Sequence, residues 1–208
     1  MPCVSGSGGA GVTLEEFSRL LIELHLARET VLRREFDRSL PLADGLFDRW
    51  ERARRLGFGE GASLYDSAFL FGPVTVGAHT WIGPNTILDG SGGGVCIGTY
   101  CSVSAGVHIY THDTVLWALS GGRAPHREGA VTLGDNVHVG AQSVIVAGVT
   151  IGSRCVIAAN SMVNRDVPNQ TIVGGTPARV LGHVEGEGTD VRMVFDKKDI
   201  KESGHPSV

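Results

Sequence analysis

The spacing of apolar residues along this chain changes near residue 60. Between residues 13 and 60 it is helical. Leu14, Phe17, Leu20, Leu21 and Leu24 fall three or four apart, as on one face of a helix. Thr13 with Glu16 matches a capping box, so the first helix starts there. Asp44 suits an N-cap and Gly57 a stop, which predicts a second helix carrying Leu46, Phe47, Trp50 and Leu56. From Leu64 the interval becomes six. Leu64, Leu70, Val76, Ile82 and Leu88 keep step until an insertion in the stretch SGGG. The register resumes at Ile97, Val103 and Ile109, and again at Leu133, Val139, Ile145, Ile151, Ile157 and Val163. One more insertion, at VPNQ, leads to Ile172; all fifteen positions are Leu, Ile or Val. Four residues after most of these stands a small or β-branched residue, such as Ala68, Thr86, Ser143 or Cys155.

Strands alternate with period two and helices repeat near 3.6. A period of six over about a hundred residues fits a chain wound into a triangular prism, with one short strand per hexad and three hexads per coil. Each aliphatic residue points inward, and each small residue fits a corner. One coil alone buries too little, so stacking supplies the core. The exposed first coil needs a cover, since open strand edges invite aggregation. The expected layout is a flexible leader over 1–12, a helical cap over 13–60, a β-helix over 64–182 and a charged tail over 183–208, in which VRMVF can pair as a last strand. Between Ile109 and Leu133 the register is lost, which predicts a loop extruded over 113–130. Loops of that length tend to be functional.

Charge and cysteines narrow the class. A net charge of −4 and no long basic run give no nucleic-acid surface. Cys3, Cys96, Cys101 and Cys155 show no C-x-x-C spacing, so zinc ribbons and redox dithiols are not expected. They read as reduced thiols, mostly buried, of a cytoplasmic protein. No signal peptide and no uninterrupted apolar run of membrane-spanning length is visible, so no membrane insertion is expected.

Two stretches point further. Residues 133–182, from LGDNVHVG to GGTPARVLG, resemble the C-terminal half of hexapeptide-repeat acyltransferases, nearest in pattern to galactoside and maltose acetyltransferases. VHIYTHDTVLWALSGG, residues 107–122, resembles enzymes that acetylate a nucleotide-linked amino sugar such as perosamine. The resemblance implies an all-β core built as a left-handed parallel β-helix, here with an N-terminal helical cap. It also implies a homotrimer with active sites between adjacent prisms, acetyl-CoA as acyl donor, and a sugar or nucleotide-sugar acceptor. The same scaffold admits an amino-acid acceptor, or a role as a non-catalytic platform.

The resemblance places the general base at His112, where the wall gives way to the loop. A neutral imidazole can take a proton from a hydroxyl or an ammonium. Asp113 either orients that ring or satisfies backbone groups at the loop start. On the donor side the resemblance implies Ala141 and Ala159 in the groove for the pantetheine arm. Asn164 falls near the arm or adenine, and Arg179, assisted by Arg165, near the phosphates, which suit guanidinium geometry. Trp117 and His126 in the loop, with His108 and His138, are candidate acceptor contacts. If residues 127–132 form one more hexad, His108 and His138 lie one coil apart on one face. With His112 they would then offer zinc three imidazoles. The chain lacks the histidine spacing of hexapeptide-repeat carbonic anhydrases, so no metal is expected.

Overall fold

The computed structural model describes residues 12–196. Most of the expected leader, Cys3, His205 and the end of the charged tail lie outside them. Two compact units divide the chain between Asp48 and Arg49.

The N-terminal unit holds helices α1 (Leu14–Phe36) and α2 (Leu42–Leu46). The capping box forms as read. The Glu16 amide donates to Thr13 Oγ1 at 3.2 Å, and the Thr13 amide donates to Glu16 Oε2 at 2.9 Å. The Thr13 amide and the Thr13 hydroxyl, which also donates to Glu16 Oε2 at 3.0 Å, hold the Glu16 carboxyl below its ordinary range. Arg28 Nε ties α1 to the Gly45 carbonyl at 3.1 Å. The expected second helix is broken in two. Phe47 is extended (φ −97°, ψ 134°), and α3 (Arg49–Arg55) begins beyond it in the larger unit. There α3 covers the first coil. Ala53 is buried, and Arg52 donates to the Tyr65 carbonyl and, at 2.9 Å, to that of Ala68.

The larger unit is a three-sided stack of parallel strands. The first coil runs β1 (Ser63–Leu64), β2 (Phe69–Phe71), β3 (Val74–Val76), and the second β4 (Trp81–Ile82), β5 (Ile87–Asp89), β6 (Val95–Ile97). The third coil has β7 (Ser102–Val103) and β8 (His108–Tyr110). It then leaves the wall through β9 (His112–Asp113), helix α4 (Val115–Leu119) and β10 (Arg127–Glu128), and closes at β11 (Val131–Leu133). The fourth coil is β12 (His138–Val139), β13 (Val144–Ile145), β14 (Thr150–Ile151), and the fifth begins β15 (Val156–Ile157), β16 (Met162–Val163). First strands stack into face A, second strands into face B and third strands into face C. β17 (Thr171–Gly174) extends face A in parallel. β18 (Arg179–Glu185) and β19 (Arg192–Phe195) continue it antiparallel. β18 thus runs through the expected domain end at 182, and VRMVF supplies β19.

Fourteen of the fifteen hexad residues are buried, and Leu70 is half-buried. Each buried aliphatic contributes roughly 1.5–3 kcal/mol. Polar residues at the corners bond from coil to coil: Thr80 Oγ1 donates to the Gly98 carbonyl at 2.8 Å and accepts the Cys101 amide at 3.0 Å. Glycine after the aliphatic has a steric cause. A Cβ at Gly140 would lie 2.4 Å from the amide nitrogen of Ala159 in the next coil.

Candidate active site

Both large register breaks fall at the same edge of the prism, between faces B and C, in consecutive coils. In the second coil the insertion after Asp89 turns through Ser91 and Gly92. In the third the chain leaves the wall at Thr111. Thr111 is fully buried and locks the two together. Its Oγ1 donates to the Asp89 carbonyl at 2.7 Å and accepts the Gly92 amide at 2.8 Å. The neck of the extruded loop is a two-stranded ribbon in which His112 pairs with Glu128 and Asp113 with Arg127.

His112 sits on this neck with 31% of its side chain exposed. Its Nδ1 lies 3.2 Å from Ser91 Oγ and 3.6 Å from Asp89 Oδ2. The Ser91 hydroxyl donates to Asp89 Oδ1, which also accepts the Ser91 amide at 3.0 Å. Asp89 is buried. The carboxylate beside the imidazole therefore comes from the preceding coil, and Asp113 has the other role weighed for it: its Oδ1 accepts the Val115 amide at 3.1 Å, at the start of α4. Sequence reasoning missed Asp89 and Ser91. The available signal was the SGGG insertion, which lies one coil before the loop.

The remaining candidates separate. Asn164, Arg165 and Arg179 line one cleft of about 150 Å³ at the fifth coil. Asn164 and Arg165 follow β16 on the same B–C edge as His112, two coils away, whereas Arg179 reaches the cleft from β18, which extends face A. Arg179 Nη1 bonds only its neighbouring carbonyl, that of Ala178, at 2.9 Å among the described residues, which leaves further guanidinium donors for an anion. Ala141 and Ala159 stack one coil apart on the A–B edge, where the Asn160 amide donates to the Ala141 carbonyl at 2.9 Å. Trp117 and His126 pack edge to face, centroids 5.9 Å apart, in the arm beyond the neck. His108 lies on face B, with Nδ1 3.3 Å from the Tyr110 hydroxyl. His138 lies on face A, paired with Ser102 and Val156. The one-face expectation for these two histidines is therefore corrected. Residues 127–132 make no hexad of the wall; they split between the ribbon and β11. His138 instead lines a separate niche of about 840 Å³ with Arg154, Val156 and Met193.

Among the described residues no group of three His, Cys, Asp or Glu is placed to hold a metal ion. No described helix is long and apolar enough to cross a membrane.

A stack of six-residue repeats with one arm at an imidazole edge defines a class, the hexapeptide-repeat transferases. Residues 130–165 match the bacterial transferase hexapeptide (six repeats), and residues 73–111 the hexapeptide repeat of succinyl-transferase. A hexapeptide-repeat-containing acetyltransferase of Vibrio cholerae O1 biovar eltor, complexed with acetyl coenzyme A, is 30% identical. The match covers 88% of this chain and 96% of that one, with a TM-score of 0.60. A mutant of AntD, an N-acyltransferase of Bacillus cereus in complex with dTDP and coenzyme A, is 28% identical. That match covers 61% of this chain and 72% of AntD, with a TM-score of 0.56. Galactoside O-acetyltransferase of Escherichia coli (strain K12) is 43% identical over 54 residues, 26% of this chain and 27% of that protein. The chain spans about half the length, or less, of the curated relatives it matches. The chain belongs to the hexapeptide-repeat acyltransferase family, with its left-handed parallel β-helix and N-terminal helices.

Proposed function

We propose that this protein transfers an acetyl group from acetyl-CoA to a hydroxyl or amino group of a sugar or nucleotide-linked sugar, with His112 as general base. The observation that carries the proposal is the B–C edge. It holds a partly exposed imidazole backed by a buried carboxylate, and two coils on the same edge carries Asn164 and Arg165, beside a cleft that Arg179 also lines. In the reaction the acceptor's proton passes to His112 as its oxygen or nitrogen attacks the thioester carbonyl. The tetrahedral intermediate then collapses, the C–S bond breaks, and the coenzyme A thiolate takes the proton back. Arg165 and Arg179 would hold donor phosphates. The relatives solved with acetyl coenzyme A or coenzyme A support this donor, and the dTDP in AntD supports a nucleotide-linked acceptor. Ala141 and Ala159 lie on a different edge from His112. A donor touching both sets fits between two prisms, which supports a homotrimer with shared sites.

The test is thiol release from acetyl-CoA against a panel of free sugars, nucleotide sugars and amino acids. Release with a sugar or nucleotide-sugar acceptor is expected. His112→Ala is expected to lower kcat by roughly 10²–10⁴-fold, the range of general-base catalysis. Release with amino acids alone would move the acceptor to another class. No release with any acceptor would favour a non-catalytic platform.

A further inference from the structure

His112 lies on the B–C edge, and Ala141 and Ala159 lie on the A–B edge. The third edge, between faces C and A, borders a niche that neither uses. Asn136 turns this edge between β11 and β12, and Arg154 turns it one coil later, between β14 and β15. Both are left-handed, with φ of 59° each. The Arg154 amide donates to the Asp135 carbonyl at 2.8 Å, which keeps the two corners in step. Both residues line the niche of about 840 Å³ to which His138 belongs. Small-molecule sites span roughly 300–1,000 Å³ and are mostly apolar, with a few convergent polar groups. Here the apolar lining includes Val156 of β15, Val184 of β18 and Met193 of β19, the last two paired across their strands. The Arg154 side chain donates to the Gly186 carbonyl, which ties the corner to the turn that follows β18.

The charges in the niche are unequally answered. Arg192 donates to Glu185 Oε2 at 3.1 and 2.7 Å, so its charge is matched. The Arg154 side chain meets only the Gly186 carbonyl among the described residues, and no carboxylate. Its remaining N–H donors form a planar fork that fits a carboxylate. The Asn136 corner stands one coil away, roughly 4.8 Å along the stack, and supplies an amide donor beside that fork. Glu187 also lines the niche and opposes a second negative charge on a ligand. We infer that this niche is a second binding site, for a small monocarboxylate with an apolar body. The carboxylate bonds Arg154 and Asn136, and the body lies against Val156, Val184 and Met193. His138, expected from the sequence to touch the acceptor, belongs to this site instead. The inference does not rest on acetyl transfer at His112.

The experiment is isothermal titration calorimetry of the full chain with hexanoate. Hexanamide keeps the body and lacks the charge; acetate keeps the charge and lacks the body. Hexanoate is expected to bind at least about tenfold more tightly than either. Arg154→Gln removes the charge and keeps an amide that can donate to the Gly186 carbonyl. It is expected to weaken hexanoate binding about tenfold or more, with hexanamide binding kept within about threefold. Met193→Glu places a carboxylate in the lining at a position that is 56% exposed, where folding tolerates it. It is expected to weaken hexanoate binding about tenfold or more. Saturating acetyl-CoA and the His112→Ala substitution are each expected to leave hexanoate binding unchanged. Hexanoate held no more tightly than either control, displaced by acetyl-CoA, or held equally by the wild type and Met193→Glu overturns the inference. Urea midpoints are measured alongside, and a lowered midpoint in Arg154→Gln leaves the decision to Met193→Glu. An inactive protein that still binds hexanoate in this way would defeat the acetyl-transfer reading and leave the second site standing.

Discussion

Replacing Thr111 with Val tests whether one buried hydroxyl holds the site together. The two side chains have similar shape, and the site is fully buried, so the change removes bonds rather than volume. Two bonds go: Thr111 Oγ1 to the Asp89 carbonyl at 2.7 Å, and the Gly92 amide to Thr111 Oγ1 at 2.8 Å. The Asp89 carbonyl keeps the Thr111 amide, 3.0 Å away, so its loss is the smaller one, about 0.5–1.5 kcal/mol. The Gly92 amide is left buried without its partner, at about 1–3 kcal/mol. The sum is a destabilisation of roughly 1.5–4.5 kcal/mol, measured by urea unfolding at fixed protein concentration. Thr111→Ser keeps the hydroxyl and loses one methyl, at about 1 kcal/mol. Because Gly92 adjoins Ser91, Val is also expected to lower kcat/KM about tenfold, as a loosened catalytic group does. A Val variant as stable and active as the wild type, or less damaging than Ser, would refute this account of the corner.

Ile145→Ala empties an inward position between Ile109 and Val163 and is expected to cost about 2–5 kcal/mol. Val144→Ala, on the outer face beside it, is expected to cost under about 1 kcal/mol; equal costs in urea unfolding would contradict the inward assignment. The Thr99 amide and hydroxyl donate to Asp135 at 2.7 and 2.9 Å and hold its carboxyl below the usual range. That stabilisation is present above the ordinary aspartate value and lost as pH falls below about 4. Asp135→Asn is expected to flatten the acid limb of a stability–pH curve, and an unchanged limb would count against it. Burial raises the Cys101 and Cys155 thiols, while Cys96 is exposed. Iodoacetamide at pH 8 followed by peptide mapping is expected to label native Cys96 and spare the other two until the chain unfolds.

The prism was legible because its repeat is written in one side-chain class at one interval. A slip of register has no foothold where every sixth residue from Leu133 to Val163 is aliphatic, because a shift by one would turn all of them outward. The edges were harder to read. Asp89 and Ser91 reach His112 only through stacking, 21 and more residues away along the chain, and an insertion shows merely that the period is suspended. Residues 127–132 would place His108 and His138 on one face only if they formed a hexad, and spacing alone cannot tell a strand of the wall from a ribbon folded out of it. The second helix breaks at Phe47 although its flanks keep helical spacing. β18 and β19 carry no hexads because they pair antiparallel beyond the last coil.

Stacked coils also give the molecule a ruler. Each coil advances one inter-strand spacing, roughly 4.8 Å. His112 leaves the third coil, and Asn164 and Arg165 turn the same edge at the fifth, so about 10 Å of axial height separates them. The fourth coil between them, residues 134–151, is an uninterrupted block of 18 residues. Adding or removing one such block would change the reach by one mark and leave the chemistry at both ends untouched. The length of molecule spanned between the imidazole and the guanidinium groups is thus counted in repeats, and it can vary independently of either group.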